Sequence, residues 1–479
     1  MGSCRDYVVL ENILEAIGHT PLVRLNRIPK DHGLKCEMYA KCEFMNPGGS
    51  LKDRIALTMM VDGEKNGVVT PKTRLVEPTS GNTGIGVSLA CAVRGYKATI
   101  VTPDKNSDEK MSAMRLLGSE IVQTPATARF DDPDGFVEVT KKILKEDPNA
   151  RSLDQYDNQI NPYTHYKETA EEIIQALKQV DMFVMGAGTG GTVTGVANRL
   201  KKFNPKVVIV AVDPKGSIIF GNDTKPVPFY VEGIGGDFVP DVLDKSVIDK
   251  YIKPDDKQSF NMSRELIRKE GLLCGGSSGA ITYSAIQAAK ELNLGPDKKV
   301  VVILPDGIRN YMTKFVTDQW MEAHLFMEPP QRDNKWWNKP VSELKVIRSV
   351  PSIKTTVSCK DALVAMGTAH NVAFVVDKDG YLKGVASKNH LRTEATNPKK
   401  KGGFDFNAQI IKHTVKNHYV IAENKPSGTV GLASRILDIT PFVVVVEEKS
   451  NTNNNVTGFV PKGLITPEMV LDYIILHNN

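Results

Sequence analysis

Between about residues 37 and 310, runs of consecutive apolar residues alternate with stretches whose apolar positions recur every three or four residues. The β-branched run Ala98-Thr99-Ile100-Val101-Thr102 predicts a strand. Ser107 to Leu117 follows, with Met111, Met114 and Leu117 at helical spacing and a stop at Gly118. Glu120 to Gln123 begins another strand. Met182 to Met185, Val207 to Val212 and Val300 to Leu304 read as further strands, and Thr192 to Lys201 as a helix. Strands that are apolar throughout, rather than alternating, are covered on both faces. The pattern therefore predicts an α/β unit on a largely parallel sheet with helices on either side.

The pattern changes after about residue 325. Glu328 to Lys335 is polar and contains two prolines, which predicts a linker over 328–340. Two similar modules follow, 341–395 and 396–479. The first runs helix (Lys360 to Ala369), strand (Val372 to Val376), Asp379-Gly380 turn, strand (Leu382 to Ala386) and helix. The second repeats this with Thr429 to Leu437, Phe442 to Val446, Val456 to Leu464 and Pro467 to Ile475. Such self-similarity predicts a pair in which each copy buries its apolar face on the other. Asn451 to Asn455 is too polar to bury and predicts a hairpin tip; Lys399 to Lys401 reads as a solvated face. The α/β unit is then 1–327.

Composition narrows the classes without choosing one. The chain has 479 residues, 41% hydrophobic and 24% charged, which fits a globular protein of about three folding units. A net charge of +5 over that length gives no electrostatic case for nucleic acid or an anionic membrane. No apolar run approaches the roughly 18 residues that a membrane span needs. The first residues lack the apolar core of a signal peptide. Cys4, Cys36, Cys42, Cys91, Cys274 and Cys359 form no CxxC pair, so the expectation is buried thiols in the reducing cytoplasm and no bound metal.

Four segments carry candidate chemistry. Gly186-Ala187-Gly188-Thr189-Gly190-Gly191-Thr192 lies between a strand and a helix, where backbone N–H groups and the positive helix end gather an anion. It satisfies G-x-G-x-x-G, and Asp213 ends the next strand. The residues alone leave three readings open: a dinucleotide, another phosphorylated cofactor, or tight packing with no ligand. Asn46-Pro47-Gly48-Gly49-Ser50-Leu51-Lys52 starts a helix with a lysine at the wrong end of its dipole. Lys52 either reaches solvent beside Asp53 or is a buried, depressed-pKa amine poised to form an imine. Thr79-Ser80-Gly81-Asn82-Thr83 enters another helix with small hydroxyls suited to a carboxylate, or merely to capping. Gly275-Gly276-Ser277-Ser278-Gly279 formally matches a serine-hydrolase elbow, with Asp306 and His324 following in order, but lacks a clear preceding strand.

One ligand set explains all four together: pyridoxal phosphate with an amino acid. The lysine takes the aldehyde, the glycine loop the phosphate, and the Thr/Ser/Asn loop the carboxylate. A serine facing the ring nitrogen leaves that nitrogen largely neutral, which favours β-elimination over transamination.

The residues resemble the fold-type II pyridoxal-phosphate enzymes, and in particular the cystathionine β-synthase family. The shared motifs are GHTPLVRLN (18–26), GGSLKDR (48–54), EPTSGNTGIG (77–86), LDQYDNQINP (153–162), GTGGT (188–192), EGIG (232–235), EGLLCGGSSG (270–279) and LPDGIRNYMTKF (304–315). The C-terminal modules look like a pair of CBS motifs, which cysteine synthases lack. The resemblance implies condensation of L-serine with L-homocysteine to L-cystathionine and water, with sulfide-producing side reactions, in a homodimer or higher homo-oligomer that binds neither nucleic acid nor membrane. It assigns Lys52 to the cofactor aldehyde, Asn82 to the ring oxygen, Gly188, Thr189, Gly190, Gly191 and Thr192 to the phosphate, and Ser277 to the ring nitrogen. Thr79, Ser80, Thr83 and Gln155 would hold the substrate carboxylate, and Tyr156 and Gly233 would line the second-substrate side.

Three departures qualify the resemblance. Cys4 has no histidine near it before His19, so no haem is expected. Gly236 stands where many relatives have tyrosine, which implies use of O-acetylserine as well. Ser387 and Thr466 are followed three residues on by His390 and Met469 rather than aspartate, so S-adenosylmethionine is expected to bind weakly or not at all. The alternatives are a cysteine synthase of the same fold, a nicotinamide dehydrogenase resting on Gly186 to Gly191 with Asp213, and a nucleotide-sensing protein resting on the C-terminal pair.

Overall fold

The computed structural model describes residues 9–79, 81–104, 106–125, 128, 132–222, 225–328, 334–346, 348–396, 403–415, 418–450 and 456–477. The chain divides into two compact units, Met1–Val316 and Thr317–Asn479.

The first unit holds ten strands: β1 (Leu22–Leu25), β2 (Glu37–Cys42), β3 (Arg74–Pro78), β4 (Lys97–Pro103), β5 (Glu120–Thr124), β6 (Ala150–Arg151), β7 (Met182–Gly186), β8 (Val208–Val212), β9 (Lys250–Ile252) and β10 (Lys299–Leu304). They form a six-stranded sheet in the order β1-β2-β10-β7-β8-β9 and a four-stranded sheet in the order β5-β4-β3-β6. Only the β1–β2 pair is antiparallel. Every residue of β7 is buried, as expected for an inner strand with both faces covered. The expected parallel architecture is present, with one antiparallel edge.

Helices Lys52–Lys65 and Asn82–Arg94 cross at near backbone contact. A side chain on Gly86 would come within 2.9 Å of the Ala56 Cβ and 3.0 Å of the Lys52 carbonyl oxygen. Ile55, Met59, Met60, Ile85, Met111 and Met114 fill the core beside that crossing. The spacing that predicts Ser107 to Leu117 as helix corresponds to Asp108–Leu116.

The second unit contains a repeated βαββα pattern. Its first copy is β11 (Ser352–Lys354), helix Cys359–Met366, β12 (Val372–Val376), β13 (Leu382–Ser387) and helix Lys388–Ala395. Its second copy is β14 (Val420–Ala422), helix Val430–Leu437, β15 (Val443–Ser450), β16 (Val456–Ile465) and helix Pro467–His477. Each three-stranded sheet pairs its first two strands in parallel and its last two antiparallel. The two copies exchange lead-in segments. Val341 and Leu344, ahead of the first copy, pack with Ile421 and Val430 of the second. Ile410, ahead of the second, packs with Ile353 and Cys359 of the first. Phe374 and Val385 meet Val444 and Leu464 between the sheets. Trp336 and Trp337, from the stretch read as linker, are buried against the second copy. Asn451 to Asn455 and Lys399 to Lys401 lie outside the described residues.

Cys36, Cys42, Cys91, Cys274 and Cys359 are free and buried; Cys4 lies outside the described residues. Burial pushes the Cys42, Cys91 and Cys274 thiols up to about 12, so they are poor ligands and nucleophiles near neutral pH. Among the described residues no cluster of His, Cys, Asp and Glu could hold a metal, and no helix is long and apolar enough to cross a membrane.

Candidate active site

Four of the first unit's helices that begin without a side-chain cap open on the candidate segments. They start at Lys52, Asn82, Gly191 and Gly276, and their N-caps are Leu51, Gly81, Gly190 and Gly275. A hydroxyl oxygen outside the N-cap still reaches two of their first N–H groups: Ser50 Oγ accepts from Lys52 N at 3.1 Å and Thr189 Oγ1 from Gly191 N at 3.4 Å. By contrast, helix Asp256–Glu270 carries a full capping box from Asp255 and Gln258.

Lys52 is half-buried, in the first turn of its helix. Its ammonium has no hydrogen bond or ion pair among those of the described residues, and desolvation pushes its pKa down to about 8. The site is brought around it by Asp306, which directly follows β10 and Pro305. The Pro305 carbonyl accepts from Leu51 N at 2.9 Å, and the Asp306 carbonyl from Gly275 N at 2.9 Å. The Asp306 Oδ2 accepts from Asn82 Nδ2 at 2.8 Å and from the Tyr311 hydroxyl at 2.5 Å. Pro305 and Asp306 thus tie together the lysine turn, Asn82 and the Ser277 turn. Ser277 itself is buried in the first turn of its helix.

Of the residues expected to hold a carboxylate, Thr83 and Gln155 are hydrogen-bonded to each other. Thr83 Oγ1 donates to Gln155 Oε1 at 2.6 Å, and Gln155 Nε2 donates to the Pro78 carbonyl at 3.2 Å. Thr79 Oγ1 accepts from Gly81 N at 3.1 Å; Ser80 lies outside the described residues. Glu77 fixes this arrangement from beneath. Its carboxylate accepts from Ser152 Oγ at 3.0 Å, Leu153 N at 3.0 Å and Gln155 N at 3.2 Å, while burial pushes its pKa up to about 7. Tyr156, next to Gln155, packs edge-on against Phe238 at 5.1 Å.

The phosphate-loop candidates also meet. Gly190 stands at φ 84°, a left-handed conformation that glycine adopts at little cost. A side chain on Gly188 would come within 2.8 Å of the Gly233 carbonyl, and one on Gly191 within 2.1 Å of Asn161 Oδ1. Asn161 Nδ2 donates to the Gln155 carbonyl at 2.8 Å and to Thr189 Oγ1 at 3.2 Å, joining the two cradles. Tyr311, Asn161, Glu77 and His165 carry no role in the sequence analysis, and Asp306 figures there only as a possible triad acid; all but His165 lie in motifs quoted there.

Two open alternatives lose their residues. Asp213 is fully buried, accepts from Phe220 N at 3.2 Å and faces Lys253 at 3.5 Å, so it does not present its carboxylate to a ribose. Asp306 is engaged by Asn82 and Tyr311, and His324 Nδ1 is paired with the Trp320 carbonyl at 2.7 Å, so each of the two has partners other than Ser277.

A buried ion cluster lies behind the lysine helix. Arg54 binds Glu43 at 2.8 Å and Glu172 at 2.7 Å, and Lys41 binds Glu172 at 2.5 Å. Asp53, one oxygen of which accepts from Gly48 N at 2.6 Å, is pushed up to about 7 by burial.

Comparison with known proteins places these features in context. Residues 13–306 match the family model described as pyridoxal-phosphate dependent enzyme. The chain is 46% identical over 453 residues to cystathionine beta-synthase of Apis mellifera, covering 93% of this chain and 88% of that one. It is 45% identical to the Oryctolagus cuniculus protein of the same name, covering 92% and 80%. Among solved structures, O-acetylserine dependent cystathionine beta-synthase from Helicobacter pylori aligns with a TM-score of 0.59 at 36% identity, over 64% of this chain and 98% of that one. A hydrogen sulfide-producing enzyme from Fusobacterium nucleatum aligns with a TM-score of 0.60 at 37% identity, over 63% and 100%.

Proposed function

The chain belongs to the cystathionine β-synthase family of pyridoxal-phosphate-dependent enzymes, and from that premise we propose that it condenses L-serine with L-homocysteine to L-cystathionine and water. The observation that carries this reading is the joining of two cradles by Asn161: Thr79, Thr83 and Gln155 on one side, Gly188 to Thr192 on the other.

The residues fit the cofactor. Glycine at 188, 190 and 191 lets the loop close against Gly233, Leu243 and Asn161, and Lys52 has the depressed pKa that an imine-forming amine needs. Lys52 would hold the aldehyde, Gly188, Thr189, Gly190, Gly191 and Thr192 the phosphate, Asn82 the ring oxygen and Ser277 the ring nitrogen. Pyridoxal phosphate, when bound, draws electrons from the amino acid's α-carbon so that the α-proton and the β-hydroxyl can depart. Thr79, Ser80, Thr83 and Gln155 hold the serine carboxylate and so fix which α-bond is weakened. Lys52 Nζ takes the α-proton and delivers a proton to the departing hydroxyl, which leaves as water. Homocysteine enters beside Tyr156 and Gly233; its sulfur takes the place of the hydroxyl on the β-carbon, and its thiol proton passes to Lys52 Nζ and from there back to the α-carbon.

Purified protein with the cofactor is expected to show a band at about 410–430 nm that borohydride abolishes. Lys52→Ala is expected to lose both the band and turnover; a yellow, active Lys52→Ala protein overturns the assignment.

Gly236 supports a second leaving group. A methyl there would meet the Phe238 carbonyl at 3.4 Å and Ile219 Cδ1 at 3.5 Å, so the position is packed by small contacts and carries no tyrosine ring. O-acetylserine is therefore proposed as an alternative donor, and cysteine as one that releases sulfide. Negligible turnover with O-acetylserine relative to serine rejects the first of these. Comparing homocysteine with sulfide as nucleophile separates this reading from a cysteine synthase. The proposal includes no haem, a homodimeric assembly and a cytoplasmic location; a haem Soret band in the purified protein contradicts the first.

A further inference from the structure

The segment Ile160–Leu177 runs between the lysine helix and the phosphate helix. It is α-helical at both ends, with a π turn at His165–Thr169 between them. Such turns recur at functional sites because the inserted residue re-aims its neighbours. Toward the lysine helix, Thr164 meets Thr58 at 2.6 Å through their hydroxyls, and Glu172 binds Arg54. Toward the phosphate helix the contact is closer still. A side chain on Gly195 would come within 2.1 Å of the Pro162 carbonyl oxygen, and one on Gly191 within 2.1 Å of Asn161 Oδ1.

Two side chains one turn apart on this segment each reach one threonine of the phosphate loop. Asn161 Nδ2 lies 3.2 Å from Thr189 Oγ1, and His165 Nε2 lies 3.1 Å from Thr192 Oγ1. His165 Nδ1 lies 2.9 Å from Thr169 Oγ1, and Asn161, His165 and Thr169 are all fully buried.

Proton counting fixes the direction of each bond. A phosphate dianion only accepts, and a threonine hydroxyl has a single proton. If Thr189 and Thr192 give theirs to phosphate, each must receive a hydrogen bond from its other neighbour. Asn161 meets this condition without adjustment. The Gln155 carbonyl can only accept, so the amide nitrogen must face it, and the same nitrogen then faces Thr189. For His165 the condition selects one tautomer: the proton on Nε2 donates to Thr192, and Nδ1 accepts from the Thr169 hydroxyl. The opposite tautomer would consume the Thr192 proton on the imidazole. Desolvation, with Lys52 and Arg54 nearby, keeps the ring neutral, so a tautomer choice exists to be made.

We infer that Asn161 and His165 are positioning residues that aim two hydroxyl protons at the cofactor phosphate, His165 acting as its Nε2–H tautomer. This rests on the proposed function. It assigns to the Ile160–Leu177 segment a role in setting how the phosphate is held relative to Lys52.

The test uses the full-length protein with histidine labelled by nitrogen-15. In the holoenzyme, long-range proton–nitrogen correlation is expected to show His165 protonated at Nε2. His165→Leu is expected to release pyridoxal phosphate about tenfold faster or more and to shift its phosphorus resonance, since a charge-assisted contact is misaimed. His165→Gln places an amide N–H near the Nε2 position and is expected to recover most of that retention; a purely structural role would give no such rescue. An Nδ1–H tautomer in the holoenzyme overturns the inference, as does a His165→Leu protein that holds the cofactor as tightly as wild type. If His165→Leu fails to fold, the tautomer and the His165→Gln retention decide between the outcomes. Wild-type protein that takes up no cofactor sinks the proposed function, and this inference with it. Uptake by wild type with the wrong tautomer sinks this inference alone.

Discussion

Lys52 shows how one residue's surroundings become a measurable pH dependence. An amine attacks an aldehyde only when neutral, and desolvation lowers its pKa from 10.5 to about 8. Capture of pyridoxal phosphate by the cofactor-free protein is therefore expected to quicken with pH up to about 8 and then level off. Stopped-flow absorbance reads this directly; a rate still climbing toward pH 10 would mean an ordinary, solvated lysine. Thr83 and Gln155 make a second expectation at this scale. Thr83→Val leaves a buried Gln155 oxygen without its donor, a loss of about 1–3 kcal/mol, and should raise the serine KM roughly tenfold or more. The residues legible in sequence are those whose chemistry contradicts their local setting, such as a lysine at a helix N-terminus. Asp306 is not of that kind. Its meaning lies in a bond to Asn82, and no local pattern reports a contact between residues so far apart in the chain.

At the scale of elements, the site is made by helices that start without caps and by how closely they approach one another. Gly195→Ala tests the second feature. Its methyl would meet the Pro162 carbonyl at 2.1 Å, so the brace segment must shift, with an expected loss of roughly 1–3 kcal/mol. Cofactor retention should fall further than that general loss explains. Arg54→Leu tests the ion cluster behind the lysine helix. It leaves Glu43, itself 1% exposed, without its guanidinium, and an expected cost of about 3–5 kcal/mol should appear in thermal unfolding. The sequence periods locate the helices at Asp108–Leu116 and Gly191–Phe203 because those carry clear apolar faces and glycine boundaries. The short strands β6, β9, β11 and β14 are absent from that reading. Two or three residues cannot display a period, and they are strands only because a neighbour supplies the ladder.

At the scale of the molecule, every residue assigned to the cofactor or the substrates lies between Lys52 and Ser277, in the first unit, which has its own core. The second unit repeats one fold twice, and Ser387 spends its hydroxyl on capping through His390 N at 3.5 Å. With no carboxylate three residues beyond Ser387 or Thr466, calorimetry is expected to register no S-adenosylmethionine binding; micromolar binding with faster turnover would contradict this. The division of labour also states where the chain can be cut. Helix Asp318–Ala323 belongs to the second unit, where Glu322 binds Arg435 and Ala323 packs beside Trp337. Trp320 and Met321 are 6% and 0% exposed there. A protein ending at residue 316 is expected to stay soluble, turn yellow with the cofactor and form cystathionine. One ending at residue 327 keeps that helix without its partners and should aggregate more readily, because its apolar side chains lose the surface that covers them. Light scattering and the 410–430 nm band distinguish the two. A colourless 1–316 protein would mean that the first unit needs the second to hold its site.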